Sequence, residues 1–192
     1  METEKLRTLI IEDNLASAEL LKEMLAKSVD VEFLTQTAGS LADGLEWLAQ
    51  DRFDLVLLDL TLPDARGAST CRAIIEAAPS LPIVIVSGSS ESDGCASECL
   101  QMGAQGYLTK GDFDGRHLIH SVRYAIRRKG IEHEYENVQN ALLEANRNLT
   151  EKVRELDRLN AVMMGREERI LELKDELRGL KERLSKRAES AL

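Results

Sequence analysis

Three stretches carry apolar side chains without a polar break: Leu9-Ile10-Ile11, Leu55-Val56-Leu57-Leu58 and Ile83-Val84-Ile85-Val86. Short continuous runs of this kind suit strands of a parallel sheet that is covered on both faces. Val31-Glu32-Phe33-Leu34 and Tyr107-Leu108 are weaker candidates for two more strands. Between the runs lie segments with helical spacing: 16–27, 41–50, 69–78, 92–102 and 116–129. Ser40, directly before the second of these, is placed to cap its first turn. Five strand–helix repeats predict an α/β fold, a doubly wound five-stranded parallel sheet with five helices on its two faces and right-handed crossovers.

From residue 130 the pattern changes. Every seventh residue is large and apolar, as Tyr135, Leu142, Leu149, Leu156, Met163, Ile170, Leu177 and Leu184, with Ala191 at the end. Three positions after each of the first eight come Val138, Ala145, Lys152, Leu159, Arg166, Leu173, Leu180 and Arg187. A repeat of seven sustained this long predicts an α-helical coiled coil about 90 Å long at about 1.5 Å per residue. A lone charged helix packed on its own domain is the competing account, but a stripe of this length would outrun such a domain. Lys152, Arg166 and Arg187 interrupt the seam, which favours a dimer over higher oligomers. Glu176 and Lys181 would attract across a parallel pair while Arg169 and Lys174 would repel, so the charges support a parallel homodimer only weakly. The expected organisation is therefore a domain over 1–129 and a helical dimerisation segment over 130–192.

Composition narrows the classes. The 192-residue chain carries a net charge of −9, which disfavours a general binder of nucleic acid or anionic membranes. Neither a leader segment nor a run of the roughly 18 apolar residues needed to span a bilayer is expected. Cys71, Cys95 and Cys99 form neither an even framework nor a CxxC, and read as reduced thiols of a cytoplasmic protein. Cys95 and Cys99, four apart, could share a helix face, but small half-buried helix residues account for them more simply.

Just past the predicted strand ends stand Glu12 and Asp13, Asp59, Ser87 and Lys110. In a doubly wound sheet functional groups gather beyond the carboxyl ends of the strands, so these side chains should converge. Two carboxylates about 5 Å apart repel by roughly 3 kcal/mol at an effective dielectric near 20, so the cluster needs cations. Lys110 supplies one charge; a divalent ion supplies the remainder, and hard oxygen donors select Mg²⁺ over zinc. Each residue alone has a plainer account: an acidic pair opening a helix, a Ser-Gly turn, a Lys-Gly loop. Together, at the ends of strands one, three, four and five, they point to a site.

The pieces Ile10-Ile11-Glu12-Asp13-Asn14, Leu57-Leu58-Asp59-Leu60-Thr61-Leu62-Pro63, Val86-Ser87-Gly88 and Gly106-Tyr107-Leu108-Thr109-Lys110-Gly111 resemble the receiver domain of two-component response regulators, with its flavodoxin-like, chemotaxis-type fold. The resemblance covers residues 6–129. It implies that Asp59 is the phosphoacceptor, taking a phosphoryl group from a histidine kinase or phosphotransfer protein. Glu12, Asp13, Asp59 and the main-chain carbonyl of Thr61 would hold Mg²⁺. Ser87 would hydrogen-bond the phosphoryl group, Lys110 would pair with it, and Tyr107 would be the aromatic switch that follows Ser87. Thr61 and Ser89 occupy the positions through which the family tunes dephosphorylation. Gly111 stands where many receivers carry proline, which argues against a cis peptide there but leaves Lys110 its role.

Other classes fit less well. A haloacid-dehalogenase-like phosphatase wants a second aspartate two residues after the first, where this chain has Thr61. His133 sits on a helical stretch, but there are no glycine-rich nucleotide boxes to make the chain a kinase; His117 and His120 read as surface positions. No helix-turn-helix pattern follows residue 129, so no DNA-binding domain is expected, and the cluster Arg123, Arg127, Arg128 and Lys129 belongs to the last receiver helix. The expected function is a phosphoacceptor rather than an enzyme, relaying its state into a coiled coil that acts on an unknown protein target. The alternatives are an input fragment of a longer signalling protein, or a constitutive scaffold with a passive receiver. Gly130 is the expected soft point between domain and tail.

Overall fold

The pleat sorts each apolar run into two layers, because consecutive strand residues point to opposite faces. Leu9, Ile11, Val56, Leu58, Ile83 and Ile85 lie on one side, in a core cluster with Cys71, Ile74 and Cys99. Ile10, Leu55, Leu57, Val84, Val86 and Leu108 lie on the other, with Leu21, Leu25, Leu118, Val122 and Ala125. Runs with no polar break are thus what a sheet buried on both faces requires.

The computed structural model describes residues 4–88 and 93–189. In chain order the elements are β1 (Glu4–Ile11), α1 (Leu15–Leu25), β2 (Val31–Ala38), α2 (Leu41–Gln50), β3 (Leu55–Leu58), α3 (Ala68–Ala77), β4 (Ile83–Ser87), α4 (Asp93–Met102), β5 (Gly106–Thr109) and α5 (Gly115–Glu189). The sheet runs β2-β1-β3-β4-β5, every pair parallel, as predicted for a doubly wound α/β domain. The order reverses between β1 and β3, and the carboxyl ends of those two strands are in register, Ile11 beside Leu58. The residues that follow them, Glu12 and Asp59, therefore emerge side by side at the switch point.

β1 begins five residues earlier than its continuous apolar run suggests. Over that opening the pattern alternates, with Leu6 buried between exposed Lys5 and Arg7, and Lys5 pairs with Glu32 of β2 at 3.1 Å. β2 is an edge strand, so its Thr35-Gln36-Thr37 segment needs no apolar partner on its outer side. Gly130, expected as a soft point, keeps helical backbone inside α5.

The chain divides into two units, Met1–Glu136 and Asn137–Leu192. Along the second, the apolar seam positions from Val138 and Leu142 to Leu177 are all exposed, between 43% for Leu173 and 63% for Leu149. Ion pairs such as Arg169–Glu172, 2.7 Å, support the helix at short sequence spacing. The side chains of Leu180, Leu184, Arg187 and Ala191 lie outside the described residues.

Candidate functional site

β1 ends at Ile11, whose carbonyl accepts the Asp59 N–H at 2.9 Å, while the Glu12 N–H donates to Ala38 of β2 at 2.9 Å. The ladder thus continues one residue past the apolar runs and delivers two carboxylates to the sheet edge with little freedom. Glu12 and Asp59 are almost fully buried; Asp13, the next residue, is exposed. Carboxylate oxygens of all three lie within 4.8 Å of one another.

Lys110 follows β5 and reaches back across β4. Its main-chain N–H donates to the Ser87 carbonyl at 2.9 Å. Its ammonium lies 2.6 Å from Glu12 Oε2 and 2.6 Å from Asp59 Oδ2. Burial alone would lower its pKa, but the two carboxylates together outweigh burial and hold the ammonium above its ordinary value. For Glu12 burial is the larger effect and raises its carboxyl, against the opposing pull of Lys110. The two shifts agree with the geometry: the lysine is partly exposed and doubly paired, whereas the glutamate is enclosed.

Asp59 is held from both sides. Oδ2 accepts from Lys110, and Oδ1 accepts the Thr61 N–H at 3.0 Å. Glu12 Oε1 accepts the Asn14 N–H at 3.3 Å, and Asn14 in turn caps α1 through Ser17. Glu12 Oε2 is buried and takes its 2.6 Å contact from the Lys110 ammonium. Three carboxylates against one ammonium leave two negative charges, the complement of one divalent cation. The excess negative charge and the all-carboxylate donor set fit a hard ion such as Mg²⁺.

The other predicted residues take these places. Ser87 ends β4 and is buried. Tyr107 on β5 pairs in register with Ile85 and packs, half-buried, on the α3/α4 side of the sheet. Thr61 is exposed and joins the cluster through its N–H. Ser89 lies outside the described residues. Gly111 has φ +92°, a conformation closed to proline's fixed φ of about −65°, which explains its departure from the family's habit.

Sequence reasoning passed over Asp64. Its carboxylate accepts the N–H groups of Leu41 and Ala42, both at 2.9 Å, at the start of α2. A contact across more than twenty residues leaves no local pattern to find.

These observations converge with comparisons to known proteins. A family model for the response regulator receiver domain matches residues 8–123, and the chain belongs to that family. The transcriptional regulatory protein DltR of Streptococcus agalactiae serotype III (strain NEM316) is 31% identical over 126 residues, 66% of this chain and 54% of that protein. The cell cycle transcriptional regulator CtrA of Caulobacter vibrioides (strain NA1000 / CB15N) is 35% identical over 123 residues, 64% of this chain and 51% of that one. The chain thus spans about half the length of these curated relatives. Among solved structures, a CheY-like receiver domain protein from Methanospirillum hungatei JF-1 superposes with a TM-score of 0.55 at 24% identity, covering 68% of this chain and 99% of that one. NtrX from Brucella abortus gives 0.61 at 23% identity, covering 70% of this chain and 30% of the other. These likenesses carry the fold. Among the described residues no helix is long and apolar enough to cross a membrane.

Proposed function

We propose that the chain is a cytoplasmic two-component response regulator whose Asp59 accepts a phosphoryl group from a histidine kinase or phosphotransfer protein. The observation that carries this is Lys110 held between two buried carboxylates, 2.6 Å from each. Such a site has a nucleophile, a fixed cation and excess negative charge for a metal, which is what phosphoryl transfer needs, since that reaction depends on positioning and charge neutralisation.

In this reading an Asp59 oxygen attacks phosphorus, a P–O bond forms, and the P–N bond to the donor's imidazole breaks. The Thr61 N–H and Lys110 hold the carboxylate in place for the attack. Lys110 then offsets charge on the phosphoryl group, and Ser87 offers it a hydroxyl. Glu12, Asp13, Asp59 and the Thr61 carbonyl would hold Mg²⁺, which when bound supplies charge neutralisation. Lys110 stays an ammonium and Glu12 a carboxylate throughout; the chain is a phosphoacceptor and not an enzyme with a separate substrate.

Output runs through α5. Within the first unit its buried face is Leu118, Val122 and Ala125. The backward projection of the seam passes through Ser121, Tyr124 and Arg128, and Tyr124 is 57% exposed. At about 100° per residue the two faces stand roughly 90° apart, so the pairing seam and the core face occupy different sides of the helix. The exposed seam of the second unit fits a second copy as a parallel two-stranded coiled coil, with a protein target downstream. Phosphorylation moves Ser87 and Tyr107 and biases that pairing.

The test is labelling with a small acyl phosphate and Mg²⁺, read by intact-mass spectrometry. Wild type gains one phosphoryl group and Asp59→Asn gains none; retained labelling in the variant refutes the assignment.

A further inference from the structure

The first four N–H groups of a helix have no partner inside it. In α2 the N–H groups of Leu41, Ala42 and Asp43 are taken up by side chains. Asp43 N–H donates to the Ser40 hydroxyl at 3.1 Å and Gly44 N–H to the Ser40 carbonyl at 3.1 Å, both local to the helix. Leu41 and Ala42 N–H donate to the two oxygens of Asp64, each at 2.9 Å. These two hydrogen bonds hold the Asp64 carboxyl below its ordinary range, Ala42 first and then Leu41.

Asp64 stands at the tip of a small closed loop that leaves Asp59. Leu62 N–H donates to the Ala65 carbonyl at 3.0 Å and Gly67 N–H to the Leu60 carbonyl at 2.7 Å. Thr61 and Arg66 face each other as an antiparallel bridge. Leu60 and Leu62, on either side of Thr61, are buried, while the tip of the loop faces solvent. α2 is itself seated tightly on β1: a Cβ added at Gly44 would lie 2.6 Å from Ile11 Cδ1. Ile11 is the residue before the acidic pair. Asp64 therefore ties the loop carrying Thr61 to a helix that rests against the residue preceding Glu12.

We propose that Asp64 is a positioning residue: its two-oxygen grip on α2 fixes the loop 60–67 so that the Thr61 backbone stays beside the carboxylate cluster. It touches no reacting atom. Without the strap the loop tip is free, and the cluster must order that backbone each time it takes up a cation. This inference rests on the metal-site reading above and adds a residue to it.

The experiment uses Asp64→Ala, Asp64→Asn and Ser40→Ala in the full chain. Ser40→Ala is the control, since it removes a cap from the same helix without releasing the loop. Calorimetric titration with Mg²⁺ and amide exchange in EDTA are the two readouts. In Asp64→Ala, Mg²⁺ affinity falls about tenfold, the range seen when groups supporting metal ligands are removed, and the amides of Thr61, Leu62 and Arg66 exchange faster. Asp64→Asn, which keeps one accepting oxygen, falls between. Ser40→Ala lowers stability yet leaves Mg²⁺ affinity and loop exchange at wild-type values. Equal shifts in Ser40→Ala and Asp64→Ala, or unchanged affinity and exchange in Asp64→Ala, overturn the proposal. If wild type binds no Mg²⁺, the metal-site reading fails, and the loop exchange in EDTA still decides the strap.

Discussion

Replacing Lys110 by methionine isolates the charge balance of the site, because methionine keeps most of the apolar stem and removes the ammonium. Glu12 and Asp59, 2% and 5% exposed in their side chains, are then left facing each other. Their oxygens lie within 4.8 Å, and two unit charges at that distance repel by about 3.5 kcal/mol at an effective dielectric near 20. Removing one partner of a buried ion pair usually destabilises by about 3–5 kcal/mol, so the two routes agree. The sign with pH follows from Glu12. Its carboxyl is already raised by burial, and losing Lys110 removes what opposes that rise. A carboxyl raised in the folded state takes up its proton as pH falls, so stability is fully present below the ordinary glutamate range. It is lost as pH rises through the raised folded value. Urea denaturation of wild type and Lys110→Met at about pH 5 and pH 8 in EDTA should show a gap that is small at the acid end and reaches about 3–5 kcal/mol at the other. Mg²⁺ should then stabilise the variant, by about 2.7 kcal/mol at a hundred times its dissociation constant. A variant as stable as wild type at pH 8 without Mg²⁺, or one whose deficit grows on acidification, refutes the reasoning.

Gly111→Ala should lower stability by about 1–2 kcal/mol, because φ +92° disfavours any Cβ; Gly111→Pro should be worse and should slow labelling of Asp59, measured by mass spectrometry. Leu57→Ala, at a position 1% exposed in the sheet, should lower stability by about 2–5 kcal/mol in thermal or urea unfolding. Leu149→Lys with Leu156→Lys places like charges across the proposed seam and should abolish dimerisation in sedimentation equilibrium while leaving phosphoryl labelling intact. An unchanged dimer constant would remove the coiled coil from the output.

Much of the domain was readable because its strands are dry on both faces. Leu55–Leu58 and Leu41–Gln50 stand where the hydrophobic pattern puts them. Where burial is one-sided the pattern weakens: β2 at the edge of the sheet is half polar, and the first residues of β1 alternate instead of running apolar. Glu12, Asp59 and Lys110 were legible for a topological reason, since residues just past buried parallel strands have one edge to share. Sequence could not say that Glu12 would be enclosed and Asp13 left in solvent. Gly130, expected as a soft point in a continuous helix, has helical backbone within α5, where one glycine costs about 1 kcal/mol. Asp64 was invisible because its partners come from a different element.

β5 has four residues and one neighbour, β4. Its consecutive residues Tyr107 and Leu108 belong to opposite layers, the first with α3 and α4, the second with the opening turns of α5. A rearrangement at Tyr107 therefore has no side-chain route to α5 through its own layer. In the proposed relay the message would be carried as a small shift of the strand itself, as a rocker carries a push from one side of a wall to the other. A strand hydrogen-bonded along one edge is the part of a sheet that gives most readily. In the proposed relay the path from Asp59 to α5 runs through a short strand hydrogen-bonded along one edge, so stiffening β5 would deafen the tail while leaving the chemistry at Asp59 whole.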